Sequence, residues 1–227
     1  MSIYLTGDTH GLLDLGGVKE WVRQKSLTKK DKLIILGDTS NTWYGKKNDD
    51  KVQRFWDEQP FTTLYIDGNH ENFDSLYHDY AVEEYCGGKV HHIRGSVYHL
   101  MRGEYYEIEG NTFWVMGGAE STDRAFRTKG ESWWEEEVPT HDEMMYGLGK
   151  LREHQMQVDY VLTHDCSTSI CRLLLGYADY PSEFTDFFDE LEFKYQLNFK
   201  HWFFGHHHVD RRVDRYHTAV FNNVISL

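Results

Sequence analysis

The chain has 227 residues, 40% of them hydrophobic and 27% charged, which fits a folded globular protein and excludes disordered or collagen-like classes. Its formal net charge of −13 argues against a non-specific nucleic-acid coat or a basic membrane patch, but leaves a phosphate substrate open if bound cations reverse the sign locally. Three cysteines without C-x-x-C spacing, no signal-peptide pattern and no apolar run of about 18 residues predict no disulfide framework, no membrane partner and a cytoplasmic location.

No repeat, low-complexity tract or Pro-rich linker interrupts the chain, so one domain is expected over residues 1–227. Its first element is a strand at 2–6 (SIYLT) that runs into GDTHG at 7–11. Leu15, Val18, Trp21 and Val22 then keep helical spacing. The strand at 32–36 (KLIIL) leads into LGDTSN, and a helix with Val52, Phe55 and Trp56 follows. The strand at 62–67 (TTLYID) ends in DGNHE, ahead of a helical stripe of Phe73, Leu76, Tyr77 and Tyr80. Runs at 89–101 and 104–108 read as meandering or hairpin strands, and 111–116 (NTFWVM) as a covered strand ending in Gly117 and Gly118.

The stretch 121–137, STDRAFRTKGESWWEEE, precedes a capping box of Thr140 and Glu143 that opens a helix with Met144, Leu148 and Leu151. The strand at 158–163 (VDYVLT) gives LTHDC. Phe184, Phe187, Phe188, Leu191 and Tyr195 form an apolar helix face, 201–204 (HWFF) gives FFGHHHV, and 213–224 holds a further short run. Strands alternating with helices predict an α/β architecture, in which ligands gather at the carboxyl ends of strands.

Those strand ends are chemically alike. They deliver Asp8 and His10, then Asp38, then Asn69, His70 and Glu71, then His164, then His206, His207 and His208. All are carboxylates, imidazoles or an amide, the donors that hold divalent metals. In extended backbone Asp8 and His10 would share a face, as would His206 and His208, with His207 turned away. Any one segment could be ordinary turn chemistry; five in order are a pattern.

The ordered set D-x-H, G-D, G-N-H-[DE], His and G-H-x-H resembles the calcineurin-like metallophosphoesterase family, over residues 7–208. The resemblance implies a four-layer αββα sandwich with two mixed β-sheets flanked by helices. It also implies two divalent metal ions, Mn²⁺ first, with Fe or Zn²⁺ as alternatives. One would bind Asp8, His10, Asp38 and His208; the other would bind Asp38, Asn69, His164 and His206, with Asp38 bridging. Two such ions against Asp8, Asp38 and a hydroxide leave a cluster about one unit positive, suited to phosphate. The expected reaction is hydrolysis of a phosphate mono- or diester by that hydroxide, with His70 protonating the leaving group.

Many members continue the second motif as G-D-x-x-D-R. Here Asn41 and Thr42 stand at those places, so an uncharged Asn41 is expected beside His70, with Glu71 as a possible assistant and Arg124 or Arg127 as a substitute for the missing phosphate-binding arginine. Trp133 and Trp134 could form a lid or seal the core, Glu135, Glu136 and Glu137 read as a solvated face, and specificity is expected in the 41–50 and 121–140 loops. Two other readings stay open: a catalytically silent scaffold of the same fold, against which the complete donor set counts, and a nuclease, against which the lack of a basic stripe counts. Oligomeric state is left undefined.

Overall fold

A computed structural model describes residues 1–45, 48–177 and 181–227. Residues 46 and 47 of the expected 41–50 specificity loop lie outside this set.

Two mixed sheets form the centre. The first contains β1 (Ile3–Thr6), β2 (Lys32–Leu36), β3 (Thr62–Ile66), β4 (Ala81–Tyr85), β5 (Gly88–Arg94) and β6 (Val97–Leu100). The second contains β7 (Tyr105–Ile108), β8 (Asn111–Met116), β9 (Gln157–Thr163), β10 (Asn198–Phe204), β11 (Arg211–Arg212) and β12 (His217–Ala219). A last strand, β13 (Ile225–Ser226), returns to the edge of the first sheet beside β1. The orders are β13-β1-β2-β3-β6-β5-β4 and β11-β12-β10-β9-β8-β7. β1, β2 and β3 are parallel neighbours, as are β8, β9 and β10, so their carboxyl ends share one direction within each sheet.

Three apolar clusters show why the sheets stack. Ile3, Leu5, Ile34 and Leu64 from one sheet meet Phe113, Val115, Leu162 and Phe203 from the other, forming the layer between them. The outer face of the first sheet packs Ile35 and Tyr65 against Val18 and Trp21 of α1 (Gly16–Gln24), Trp56 of α2 (Asp50–Asp57) and Leu76 of α3 (Phe73–His78). The outer face of the second packs Trp114 and Trp202 against Leu148 of α4 (His141–Glu153), Ile170 of α5 (Thr168–Leu175) and Phe188 of α6 (Glu183–Phe193). Helix, sheet, sheet and helix give the expected four layers. Strands covered on both faces explain the unbroken apolar runs in the sequence.

The expected capping box forms: the Thr140 hydroxyl accepts from the Glu143 N–H, and Glu143 accepts from the Thr140 N–H. Such a cap stabilises a helix by about 0.5–2 kcal/mol. Other expectations shift. The run 89–101 splits into β5 and β6 with an irregular register at His92–Arg94, and only 217–219 of the run 213–224 is a strand. Strand β4 gives no apolar signal because it is an exposed edge strand with two adjacent glutamates, Glu83 and Glu84. Helix α5 went unrecognised, although Ser167 caps its start and Gly176, at φ 83°, closes it. Of the three glutamates expected to be solvated, Glu137 is buried, and its burial pushes the carboxyl up to about 7. Trp134 joins the outer core and donates to Asp74, whereas Trp133 lies beneath Arg124.

Candidate metal centre

The carboxyl ends of β1, β2, β3, β9 and β10 converge at one edge of the sandwich. Backbone bonds stitch the loops across strands and sheets: His10 N–H donates to Asp38 O at 2.8 Å, and Gly205 N–H to His164 O at 2.9 Å. The approach is so close that two positions admit only glycine. A Cβ on Gly37 would lie 2.1 Å from His164 Nδ1, and one on Gly68 would lie 2.0 Å from Asp38 Oδ1.

Strand alternation does not produce the convergence. His10, Asp38, His206 and His208 have left the strands and take φ of 41°, 50°, 62° and 51°. Left-handed turns, which cost energy for residues with a Cβ, aim these side chains inward. The grouping read from the sequence is reached by another route: donor atoms of Asp8, His10, Asp38 and His208 all lie within 4.8 Å of one another. His164 Nε2 sits 3.4 Å from Asp38 Oδ1 and 3.1 Å from Asn69 Oδ1. The His206 ring lies 5.1 Å from that of His164, and the His206 N–H donates to both Asp8 oxygens. His207 turns away to Asp165.

Hydrogen bonds fix which imidazole nitrogens face inward. His164 Nδ1–H donates to Leu36 O at 2.7 Å, and His10 Nδ1–H donates to Asp14 Oδ2 at 2.8 Å. Each ring therefore turns Nε2 toward the Asp38 carboxylate, at 3.4 Å in both cases. Asn69 donates its Nδ2–H to Ser121 Oγ at 3.0 Å, which leaves its carbonyl oxygen facing His164. Bare acceptors facing one another require a cation between them, either protons or a metal. This is the usual support given to metal-ligating histidines.

The electrostatics agree. Asp8 and Asp38 are completely buried, and among the described residues their ion-pair partners are all histidines. Burial pushes the Asp8 carboxyl up to about 6. Burial opposes charge on His10 too, but Asp38, Asp14 and Asp8 together raise it to about 9. Desolvation first, and then the neighbouring imidazoles, lower His206 to about 4.

A cavity of about 470 Å³ opens over this cluster, lined among others by Asp38, Asn69, His70, Arg127, His206 and His208. The His70 N–H donates to Asp38 Oδ1 at 2.8 Å, and its ring edges the cavity. The Arg127 guanidinium lies against that ring, with nitrogens 3.1 and 3.2 Å apart, and Asp123 holds its Nε at 2.6 Å. Burial first, and then the Arg127 charge, lower the His70 pKa against the pull of Asp38. Arg124 is elsewhere, its guanidinium 3.9 Å above the Trp133 ring. Asn41 is buried with neither carboxamide atom bonded among the described residues. Glu71 is held by Thr39 and Thr42, and burial raises its carboxyl to about 8, so it braces the turn after β2.

Sequence reasoning missed Asp14, Ser121, Asp123 and Trp43, whose ring lies 5.6 Å from that of His70. Asp14 alone carried a readable signal, a carboxylate four residues beyond His10.

A four-layer sandwich with carboxylates, imidazoles and an amide converging at the strand ends defines a class of metal-dependent phosphoesterases. A model of the calcineurin-like phosphoesterase family matches residues 1–210, and the chain belongs to that family. No curated protein matches its sequence significantly. Among solved structures, TT1561 of Thermus thermophilus is similar at 15% identity and a TM-score of 0.50, over 98% of this chain and 88% of that one. The phosphopantetheinyl hydrolase of Mycobacterium tuberculosis is similar at 16% identity and a TM-score of 0.45, over 97% and 89%. Among the described residues no helix is long and apolar enough to cross a membrane.

Proposed function

We propose that the chain acts as a single domain over residues 1–227, a dinuclear metal-dependent hydrolase of a small phosphate mono- or diester. The observation that carries this reading is the pair of buried carboxylates, Asp8 and Asp38, whose ion-pair partners among the described residues are all imidazoles with Nε2 turned toward them. Asp8, His10, Asp38 and His208 would hold one divalent ion, and Asp38, Asn69, His164 and His206 the other. Oxygen and imidazole donors suit Mn²⁺, our first choice, and also Fe or Zn²⁺. When bound, the ions supply charge to stabilise the phosphoryl transition state and acidity to activate water.

The chain's own residues do the rest. Asp14 and the Leu36 carbonyl keep His10 and His164 in the ligating tautomer. Arg127, oriented by Asp123, presents a fork of N–H donors to the cavity and takes the ester's anionic oxygens. His70, fixed by its backbone bond to Asp38, donates a proton to the leaving oxygen. Its lowered pKa makes it a stronger acid when protonated, and that fraction grows as pH falls.

Hydrolysis of chromogenic aryl mono- and diesters with Mn²⁺ tests the reading, and a chelator should abolish turnover. Silence with Mn²⁺, Fe²⁺ and Zn²⁺ on both ester types would point to a binding scaffold, and a salt-sensitive preference for oligonucleotides to a nuclease. His70→Ala should lower turnover by about 10²–10⁴-fold with both metals retained. Loss of metal in that variant would refute the acid assignment.

A further inference from the structure

Behind the dinuclear cluster lies a second group of donors with different chemistry. Cys166, Cys171 and His207 offer ligand atoms that all lie within 4.8 Å of one another. Cys166 Sγ is 3.3 Å from His207 Nε2, and the same nitrogen is 3.2 Å from Asp165 Oδ1. Both cysteines are buried, and the His207 side chain is only 6% exposed. No disulfide joins the cysteines. Three elements supply the group: the turn after β9, the face of α5, and the loop after β10.

We propose that Cys166, Cys171 and His207 form a third metal site, a structural site for zinc, with Asp165, hydrogen-bonded to His207, moving in as the fourth ligand. Two thiolates and an imidazole are the donors such sites use, and a carboxylate completes four. In tetrahedral zinc with bonds of about 2.0–2.3 Å, neighbouring donor atoms are about 3.3–3.8 Å apart. The 3.3 Å between Cys166 Sγ and His207 Nε2 fits that spacing, and Cys171 lies within 4.8 Å of both, so its sulfur would draw inward on binding. Binding displaces the two thiol protons and changes no oxidation state.

The placement gives the site a purpose. His207 stands between His206 and His208, and Asp165 and Cys166 directly follow His164. Zinc here would tie the loop after β10 to the turn after β9, setting the two strand ends that carry His164, His206 and His208, three of the seven proposed dinuclear ligands. The site does not depend on the hydrolytic reading, because its two thiolates are a donor type the dinuclear cluster lacks, although His207 also edges that cavity.

Cobalt substitution tests this on the intact chain. The protein is reduced, stripped with a chelator and titrated with Co²⁺. A thiolate-to-cobalt charge-transfer band should appear in the near ultraviolet, and Zn²⁺ should bleach it. The oxygen and imidazole donors of the dinuclear cluster cannot produce that band. Cys86→Ser should keep it, and Cys166→Ser with Cys171→Ser should abolish it. In the wild type, Zn²⁺ should also protect two of three thiols from alkylation, a readout that needs no variant. A folded, reduced protein with no charge-transfer band would overturn the proposal. So would a band that survives the double substitution, or equal alkylation with and without zinc.

Discussion

Two buried carboxylate assemblies are balanced in opposite ways. Asp67, at the end of β3, is fully buried and receives two guanidinium hydrogen bonds from Arg102, at 2.6 and 2.8 Å, and one from His99 at 3.1 Å. Burial opposes its charge, but Arg102 and His99 hold it far below the usual carboxylate range. Asp8 and Asp38 are as deeply buried and face only histidines among the described residues. An unpaired buried charge is costly. The chain thus supplies a permanent cation, Arg102, where the role is structural, and only titratable histidines such as His10, whose protons a bound metal would replace, where the proposed chemistry lies.

The contrast can be broken by removing one charge from each assembly. Asp8→Asn should reduce phosphoesterase activity to that of the chelated protein, with metal content falling alongside. In the metal-free state the same change should leave stability within about 1 kcal/mol of wild type or raise it, since it removes a carboxylate that burial disfavours. Asp67→Asn should do the reverse to stability. It leaves Arg102 buried without its partner, a loss of about 3–5 kcal/mol, which lowers the melting temperature by about 6–20 °C. Equal stability losses in both variants would erase the distinction.

Arg127→Ala sharpens it on the substrate side. A charge-assisted hydrogen bond contributes about 1.5–3 kcal/mol, so KM should rise roughly 10–150-fold with metal content unchanged. The pH limb set by His70 should move upward, because a neighbouring cation that disfavours its protonation is gone.

The smallest effect is in pH. In the metal-free fold Glu71 titrates near 8 and His10 near 9, against ordinary values of 4.5 and 6.5. Both hold protons more tightly folded than unfolded. Their contribution is complete below the ordinary values and is lost as pH rises through the folded ones. The melting temperature of chelated protein should therefore decline between pH 6.5 and 9 by a few degrees, and saturating metal should remove most of that slope. A flat profile in the chelated protein would contradict the folded-state values.

The site was legible because its donors follow apolar runs that read plainly as covered strands: KLIIL before Asp38 and HWFF before His206 needed no tertiary information. The left-handed turns that aim His10 and His208 were invisible, since nothing in those residue types announces a positive φ. Asp14, Ser121 and Asp123 act through contacts set by the fold, two of them inside a stretch noticed for its arginines, tryptophans and glutamates. Arg124 and Arg127 are equivalent in sequence, and only packing against Trp133 and His70 separates them. Helix α5 and the Cys166–Cys171–His207 group went unread for a related reason: the spacing matches no metal motif until β9 and β10 pair.

The central claim is that imported cations balance Asp8 and Asp38. Crystals soaked in manganese, measured for anomalous scattering, address it directly. The account predicts two peaks flanking Asp38, one toward Asp8, His10 and His208 and the other toward Asn69, His164 and His206. Featureless maps at Asp38 in fully soaked, ordered crystals would contradict it.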